Sequence, residues 1–364
     1  FYRVTIDPKT GGIASLYDKE LGRELVDRSC PWPLNAYIYE QPEGGRQAVD
    51  DMTKRAVFHR FTAESAMVEA VERGPVSTRL VVVSAPKMCR SLRQSVVLYD
   101  EIKRLELVNV LDKAETFEPE AVYFAFPFAV GAASTPPDVR LEIAGADMAP
   151  GREQLPGTTL DWQTAQHWVG FGGREARVIW SPVEAPLVQF GGINTGKWQK
   201  RLDLENAWVF SYAMNNYWMT NFKASQEGRV EFRYSLTSLP PAVPGRPEAG
   251  SDRVAAARFG WETHTPLAAA WLPTGNPGPL ASTGESFLAV DRPNVIVQAL
   301  WLDADGTPVA RLREIAGEPA EGRLTSGLFF GIIMRMQGGR ESVERGSIPF
   351  RLGPFEMRAV RLAR

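Results

Sequence analysis

His59, His167 and His264 are the only histidines in the 364-residue sequence, and none of them opens a His-x-Asp, His-x-His or HExxH pattern. Zinc sites draw on His, Cys, Asp and Glu at short local spacing, so each histidine reads first as a structural or surface residue and no metal ligand is assigned. Cys89 is followed by Arg90, whose charge would favour a thiolate, but no histidine stands beside it to act as a base. Cys30, in Cys30-Pro31-Trp32-Pro33, has no activating neighbour either. No GxSxG elbow is present. The glycine cluster Gly170-Phe171-Gly172-Gly173 lacks the lysine of a phosphate-binding loop and follows no strand-to-helix signal, so it reads as a β-turn. The chain carries 43 acidic residues. Glycoside cleavage needs two carboxyls placed across a sugar and distant in sequence, so spacing singles out no pair, and no catalytic residue is assigned.

The positive signal is aromatic. The run from Asn206 to Phe222 sets Trp208, Phe210, Tyr212, Tyr217 and Trp218 among the amides Asn206, Asn215, Asn216 and Asn221. Sugar rings offer C–H faces that stack on aromatic side chains, and their hydroxyls suit an amide that both donates and accepts. The plainer alternative is a core strand whose amides satisfy a sheet edge or turn. Tyr37 and Tyr39 point to one side of a strand and raise the same pair of readings.

The elements that must position these groups are strands. Apolar residues alternate with period two over Ala36–Glu40, Val57–Ala63, Ala66–Arg73, Val76–Ser84, Leu92–Leu98, Ile102–Leu111 and Arg229–Leu236. Val4 and Ile6 face Ile13 and Leu16 across Asp7-Pro8-Lys9-Thr10-Gly11-Gly12, where proline presets φ and glycine supplies positive φ. Pro240, Pro241, Pro244 and Pro247 mark an extended linker over residues 240–250. Beyond it a short helix is expected over Ser251–Ala257. Strands resume at Ser286–Val290, Asn294–Leu302, Val309–Glu314, Leu328–Met334 and Met357–Leu362, with Asp303-Ala304-Asp305-Gly306 as a hairpin turn. The fold class is therefore all-β: a large domain over 1–239, and a smaller C-terminal β-sandwich over 251–364.

The net charge of −2 and the lack of any basic run argue against nucleic acid. The longest apolar stretch, Ala121 to Ala133, is broken by Pro127 and Gly131, so no membrane span is encoded. Two cysteines imply no disulfide framework, and a reduced, cytoplasmic setting is expected. The first residues, Phe1-Tyr2-Arg3-Val4-Thr5-Ile6, read as mid-strand with no initiating methionine. They lead to the expectation that further sequence lies upstream.

Several segments, in order, resemble the family 38 glycoside hydrolases, the α-mannosidase-like enzymes. These are Phe1–Glu20 with Arg23-Glu24-Leu25-Val26-Asp27, then Tyr123–Phe128, then Met214–Phe222 followed by Phe232–Leu236, and finally Asn294–Leu300, Arg311–Glu314 and Gly353–Arg358. The resemblance implies the C-terminal β domains only: a galactose-mutarotase-like supersandwich followed by the smaller sandwich. It implies an N-terminal catalytic domain of the same protein as partner. That domain would hold zinc through His-x-Asp-type motifs and attack the α-mannoside with an Asp nucleophile and an acid/base carboxylate. This chain would hold no cofactor itself, would be inactive alone, and would pack on that domain to complete the sugar pocket. Tyr37 falls where a pocket tyrosine is expected, although Tyr39 replaces the family's Phe. Asn215, Asn216, Trp218 and Asn221 are the second candidate rim, although Met219 stands where many relatives carry histidine. In the final domain Trp301 replaces a common Lys. Self-association into a homo-oligomer is left open. The competing reading is a free-standing carbohydrate-binding or mutarotase-like module, for which a concave face with His167 or His59 near a carboxylate would speak.

Overall fold

The computed structural model describes residues 1–50, 57–131, 136–195, 198–218, 221, 223–241, 249–271, 286–326, 331–333, 335–336, 339–340 and 346–363. Within these the chain is almost entirely β. It divides into two compact units, the first comprising Phe1–Pro244 with Phe259–His264, the second Gly245–Arg258 with Thr265–Arg364.

The first unit is built on two large antiparallel sheets. One has nine strands, in the order Ala146–Met148, Asp138–Ile143, Val169–Gly172, Arg177–Pro182, Gly228–Leu239, Leu105–Lys113, Cys89–Tyr99, Ser77–Ser84 and Ala66–Arg73. The other has six: Gln163–Thr164, Leu187–Phe190, Ala207–Asn215, Ala121–Phe128, Tyr37–Pro42 and Phe58–Phe61. They share one core. Leu105, Leu107, Trp180, Tyr234 and Leu236 come from the nine-stranded sheet, and Tyr37, Phe124, Phe126 and Val209 from the six-stranded one. Phe126 meets Tyr234 at 4.7 Å and Trp180 at 4.9 Å between ring centroids. Each such side chain contributes on the order of 2–3 kcal/mol through burial. Residues on Ala121–Phe128 are buried on both faces, because a second apolar cluster of Ile38, Tyr123, Phe210, Tyr212 and Tyr217 covers the far side of the six-stranded sheet.

The expected first hairpin forms, with Tyr2–Ile6 paired to Ile13–Asp18. Its end is pinned to the nine-stranded sheet through Asp18. Burial alone would raise the Asp18 carboxyl, but hydrogen bonds from Ser238 Oγ (2.5 Å) and the Leu21 N–H (3.0 Å), with the Lys103 ammonium at 2.9 Å, hold it below the usual range. A lowered folded-state value means this stabilisation is complete above the unfolded aspartate value of about 3.9 and disappears as pH falls through the folded value. Asp18→Asn is expected to cost about 2 kcal/mol at neutral pH and to flatten the acid limb of stability against pH. Denaturant unfolding between neutral and strongly acidic pH checks both.

Three local readings differ from the structure. The glycine cluster is largely strand: Val169–Gly172 pairs with Arg177–Pro182, and only Gly173 opens the turn. A Cβ on Gly173 would lie 2.0 Å from the Val130 carbonyl oxygen, so close backbone approach, not a phosphate, explains the glycine there. The strand expected from Ile102 begins at Leu105, and the face carrying Leu105, Leu107, Asn109, Leu111 and Lys113 is the buried one. The helix runs over Ala249–His264, much longer than expected. Its last turn is fixed within the first unit, where Gly260 lies against the His167 carbonyl and Trp168.

In the second unit, Ala289–Val290, Ala320–Thr325 and Ser347–Leu352 form one sheet. Val295–Leu302, Pro308–Glu314, Met357–Ala363 and Gly331–Ile333 form another. Leu312, Leu324, Phe350, Val360 and Leu362 fill the core of the unit. The turn through Asp303–Gly306 closes as a hairpin, with Gly306 at φ 79. Of the strand expected over Leu328–Met334, residues 328–330 and 334 lie outside the described residues, as does most of the proline-rich linker.

Candidate functional site

Tyr37–Pro42 sends alternate side chains to opposite faces of the six-stranded sheet. Tyr37 and Tyr39 face the inter-sheet core, and Ile38 and Glu40 face the outer aromatic cluster. Tyr37 is 0% exposed; its hydroxyl donates to the Lys87 carbonyl at 3.1 Å, and Phe124 packs edge-on at 6.1 Å. Burial pushes its hydroxyl upward, with Cys89 and Glu120 adding to the effect.

Beside Tyr37, at one end of the sandwich, sits a buried acid. Glu120 pairs with Lys113 at 2.6 Å, with both side chains buried. Among the described residues Glu120 is the one carboxyl pushed above its ordinary range; burial drives it up against the opposing pull of Lys113 and a hydrogen bond with Tyr39. An acid held between burial and a single cation is the kind of group that functional sites use. Tyr39 is raised as well, by burial and by the same carboxyl. Lys87 Nζ lies 3.7 Å from the Phe61 ring centroid next to this cluster.

Asn216 closes the same end. It accepts from the Glu120 N–H at 2.6 Å and donates to the carbonyls of Glu118 (2.9 Å) and Ala224 (3.2 Å). Arg46 holds the carbonyls of Asn216 and Tyr217. The structure thus gathers Tyr37 and Asn216 around Glu120. Asn215 ends the strand opposite Ala121 and is partly exposed. Trp218 points elsewhere, packing edge-on to Trp162 at 5.7 Å and to Tyr217 at 6.1 Å. Asn221 is exposed beyond it, and Met219 lies outside the described residues.

A second polar cluster lies under the outer aromatics. Glu40, 0% exposed, receives Arg60 Nε at 2.7 Å, the Tyr217 hydroxyl at 2.8 Å and the Tyr123 hydroxyl at 3.3 Å. Three donors on a sealed carboxylate tie sheet to loop and leave it no room for a substrate. Sequence reading missed Glu40, Glu120 and Lys113. For Lys113 a signal existed, because the alternation Leu105, Leu107, Leu111 extends to it and places an amine on the core face.

The histidines come near acids: His167 Nδ1 lies 3.0 Å from Glu142 and His59 Nε2 lies 3.2 Å from Glu43. The His167 ring is covered by Trp261 at 4.2 Å and meets the edge of His264 at 4.8 Å. Burial and the neighbouring His167 hold His264 below its ordinary value. Among the described residues no three His, Cys, Asp or Glu side chains are grouped to hold a metal ion. Nor does any helix among them have the length and apolarity to cross a membrane.

These features define a two-sheet β domain with a buried acid–amine pair at one end and a smaller β unit after it. Residues 1–143 match the family model described as the glycosyl hydrolases family 38 C-terminal domain, which bears out the resemblance over that stretch. Among solved structures, the chain is similar to an alpha-mannosidase from Enterococcus faecalis at 14% identity and a TM-score of 0.68, covering 99% of this chain and 41% of that one. It is also similar to a protein of glycosyl hydrolase family 38 from Enterococcus faecalis, at 13% identity and a TM-score of 0.68, covering 99% and 43%. The chain therefore spans about two fifths of the length of these proteins. No curated protein matches it.

Proposed function

We propose that this chain is the C-terminal accessory part of a glycosyl hydrolase resembling the family 38 α-mannosidases. In this reading it packs on an N-terminal zinc catalytic domain of the same protein and completes a pocket for α-mannosides. The observation that carries the reading is the fold match: nearly all of this chain superposes on two fifths of an alpha-mannosidase. A second observation supports a covering partner. Phe61, Met67, Val68 and Val71 are exposed on the edge strands Phe58–Phe61 and Ala66–Arg73 of the two sheets, with Val57 and Val76 exposed just outside them, and exposed apolar surface is where another surface packs. Of the residues expected at the rim, Asn215, Trp218 and Asn221 reach the surface and are the proposed rim, whereas Tyr37 and Asn216 are buried and stand behind it with Glu120 and Lys113. Zinc belongs to the upstream domain in this reading. The described residues offer no ligand set that fits it, and no step through the metal is derived on this chain. A cytoplasmic setting is part of the proposal, supported by the unpaired state of Cys30 and Cys89.

The test measures aryl α-mannoside hydrolysis by this chain alone and by the chain joined to its upstream region. Zinc-dependent turnover by the joined protein and none by the chain alone is the expected result; turnover by the chain alone would overturn it.

The alternative, a free-standing sugar-binding or mutarotase-like module, has one observation in its favour, the His167–Glu142 pair at 3.0 Å. Trp261 and His264 pack against that imidazole and leave it about one fifth exposed. Faster mutarotation of mannose or galactose in the presence of the chain, abolished by His167→Ala, would favour it over the accessory role.

A further inference from the structure

We propose that Trp162, Trp198 and Trp218 form a stacking platform for a neutral hexose chain, which shares Trp218 with the proposed rim. The three indoles follow one another: Trp198 lies 6.3 Å from Trp162, and Trp162 lies 5.7 Å from Trp218, tilted by 57° and 65°. None is sandwiched face to face, and Trp198 meets no other ring among the described residues. Trp198 is 52% exposed, a large apolar area for a side chain that could pack inward.

Its backbone stands at φ 51, in the left-handed region that a bulky residue adopts only under constraint. Such strain is held where the surroundings over-determine it, and it collects at ligand clamps. The constraint here is visible: the Gln199 N–H donates to Asp161 Oδ1 at 2.9 Å, tying the segment that carries Trp198 to the one that carries Trp162. Asn221 stands exposed beyond Trp218. Indole faces for the C–H surfaces of a sugar, with the exposed Asn221 amide for its hydroxyls, suit an uncharged glycan.

Mannose as the sugar of choice rests on the function proposed above. The readout is separate, because binding is measured on this chain alone and hydrolysis on the joined protein, so either reading can fail without the other. The experiment titrates the 364-residue chain with α-linked mannotriose, and with maltotriose as a second neutral glycan, following tryptophan emission and heat. A saturable emission change with millimolar or better affinity is expected, weakened about tenfold or more by Trp198→Ala (about 1.4 kcal/mol) and partly restored by Trp198→Phe. Trp271→Ala, at a residue 94% exposed in the second unit, should change nothing. Thermal melts of each variant confirm that the fold is kept, as expected for an exposed side chain. No response to either glycan at millimolar concentration would overturn the proposal. So would equal affinity in Trp198→Ala, or a variant that shifts only the sedimentation of the protein, which would make the platform an interface.

Discussion

Glu314→Ala should unfold the second unit well before the first. Glu314 is 0% exposed, and its two oxygens take four donors: Asn294 Nδ2 at 3.0 Å, and the N–H groups of Ala316 at 2.7 Å, Gly317 at 2.8 Å and Phe355 at 2.8 Å. The carboxylate thus substitutes for a missing piece of sheet, fastening three loop amides to the end of Pro308–Glu314. A hydrogen bond to a charged group contributes about 1.5–3 kcal/mol, and each buried donor left without an acceptor costs about 1–3 kcal/mol. These contributions do not add, and a net loss of about 4 kcal/mol is expected. In a unit of this size that lowers the melting temperature by roughly 15 °C or more. Calorimetry should show the transition of the second unit moving down while that of the first stays in place. Glu314→Gln keeps one acceptor but turns an amide toward backbone donors, so it should fall between parent and alanine variant. A loss below about 1 kcal/mol in Glu314→Ala would remove the carboxylate from its structural role.

The Lys113→Met variant should lose about 3–5 kcal/mol at neutral pH, the usual cost of leaving one partner of a buried ion pair alone. Methionine replaces the stem of Lys113 but not the ammonium 2.6 Å from Glu120. Glu120 is already pushed upward by burial, and without the lysine it will be pushed further. A carboxyl raised in the folded state binds its proton more tightly there than in the unfolded chain, so stability falls as pH rises from the unfolded value of about 4.3 toward the folded one. The gap between parent and variant should therefore narrow as the solution is acidified toward pH about 4. Lys113→Met with Glu120→Gln should recover most of the loss, since it removes the unpaired charge. Denaturant melts of the four members of that cycle, at neutral and mildly acidic pH, measure the coupling directly.

What could be read from the residues follows from how local the physics is. The first hairpin, the Asp303–Gly306 turn and the strand Ala66–Arg73 were legible because alternation and turn chemistry act over a few residues. Strands such as Asp138–Ile143, Arg177–Pro182 and Ser347–Leu352 were not singled out. Their burial is settled by pairing partners far away in the chain, as with Arg177–Pro182 against Leu239–Tyr234. The helix outran its expected end because Gly260, Trp261 and His264 are held by the surface around His167, and helix propensity gives no hint of that. At the candidate site, Tyr37 and Asn216 could be picked out as residue types. Their common neighbour Glu120 could not, because one acid among 43 becomes distinctive only when folding encloses it with Lys113. The reading of Tyr37 and Tyr39 as a same-face pair holds, and that face is the inter-sheet core.

Both thiols of the protein, Cys30 and Cys89, are buried in the first unit, and burial raises each to about 11. At neutral pH neither is a competent nucleophile, so alkylating reagents meet an unreactive surface until that unit opens. The second unit contains no cysteine. Labelling kinetics in rising denaturant would therefore report the opening of the first unit and be blind to the second, giving a clock for the larger unit without any added probe.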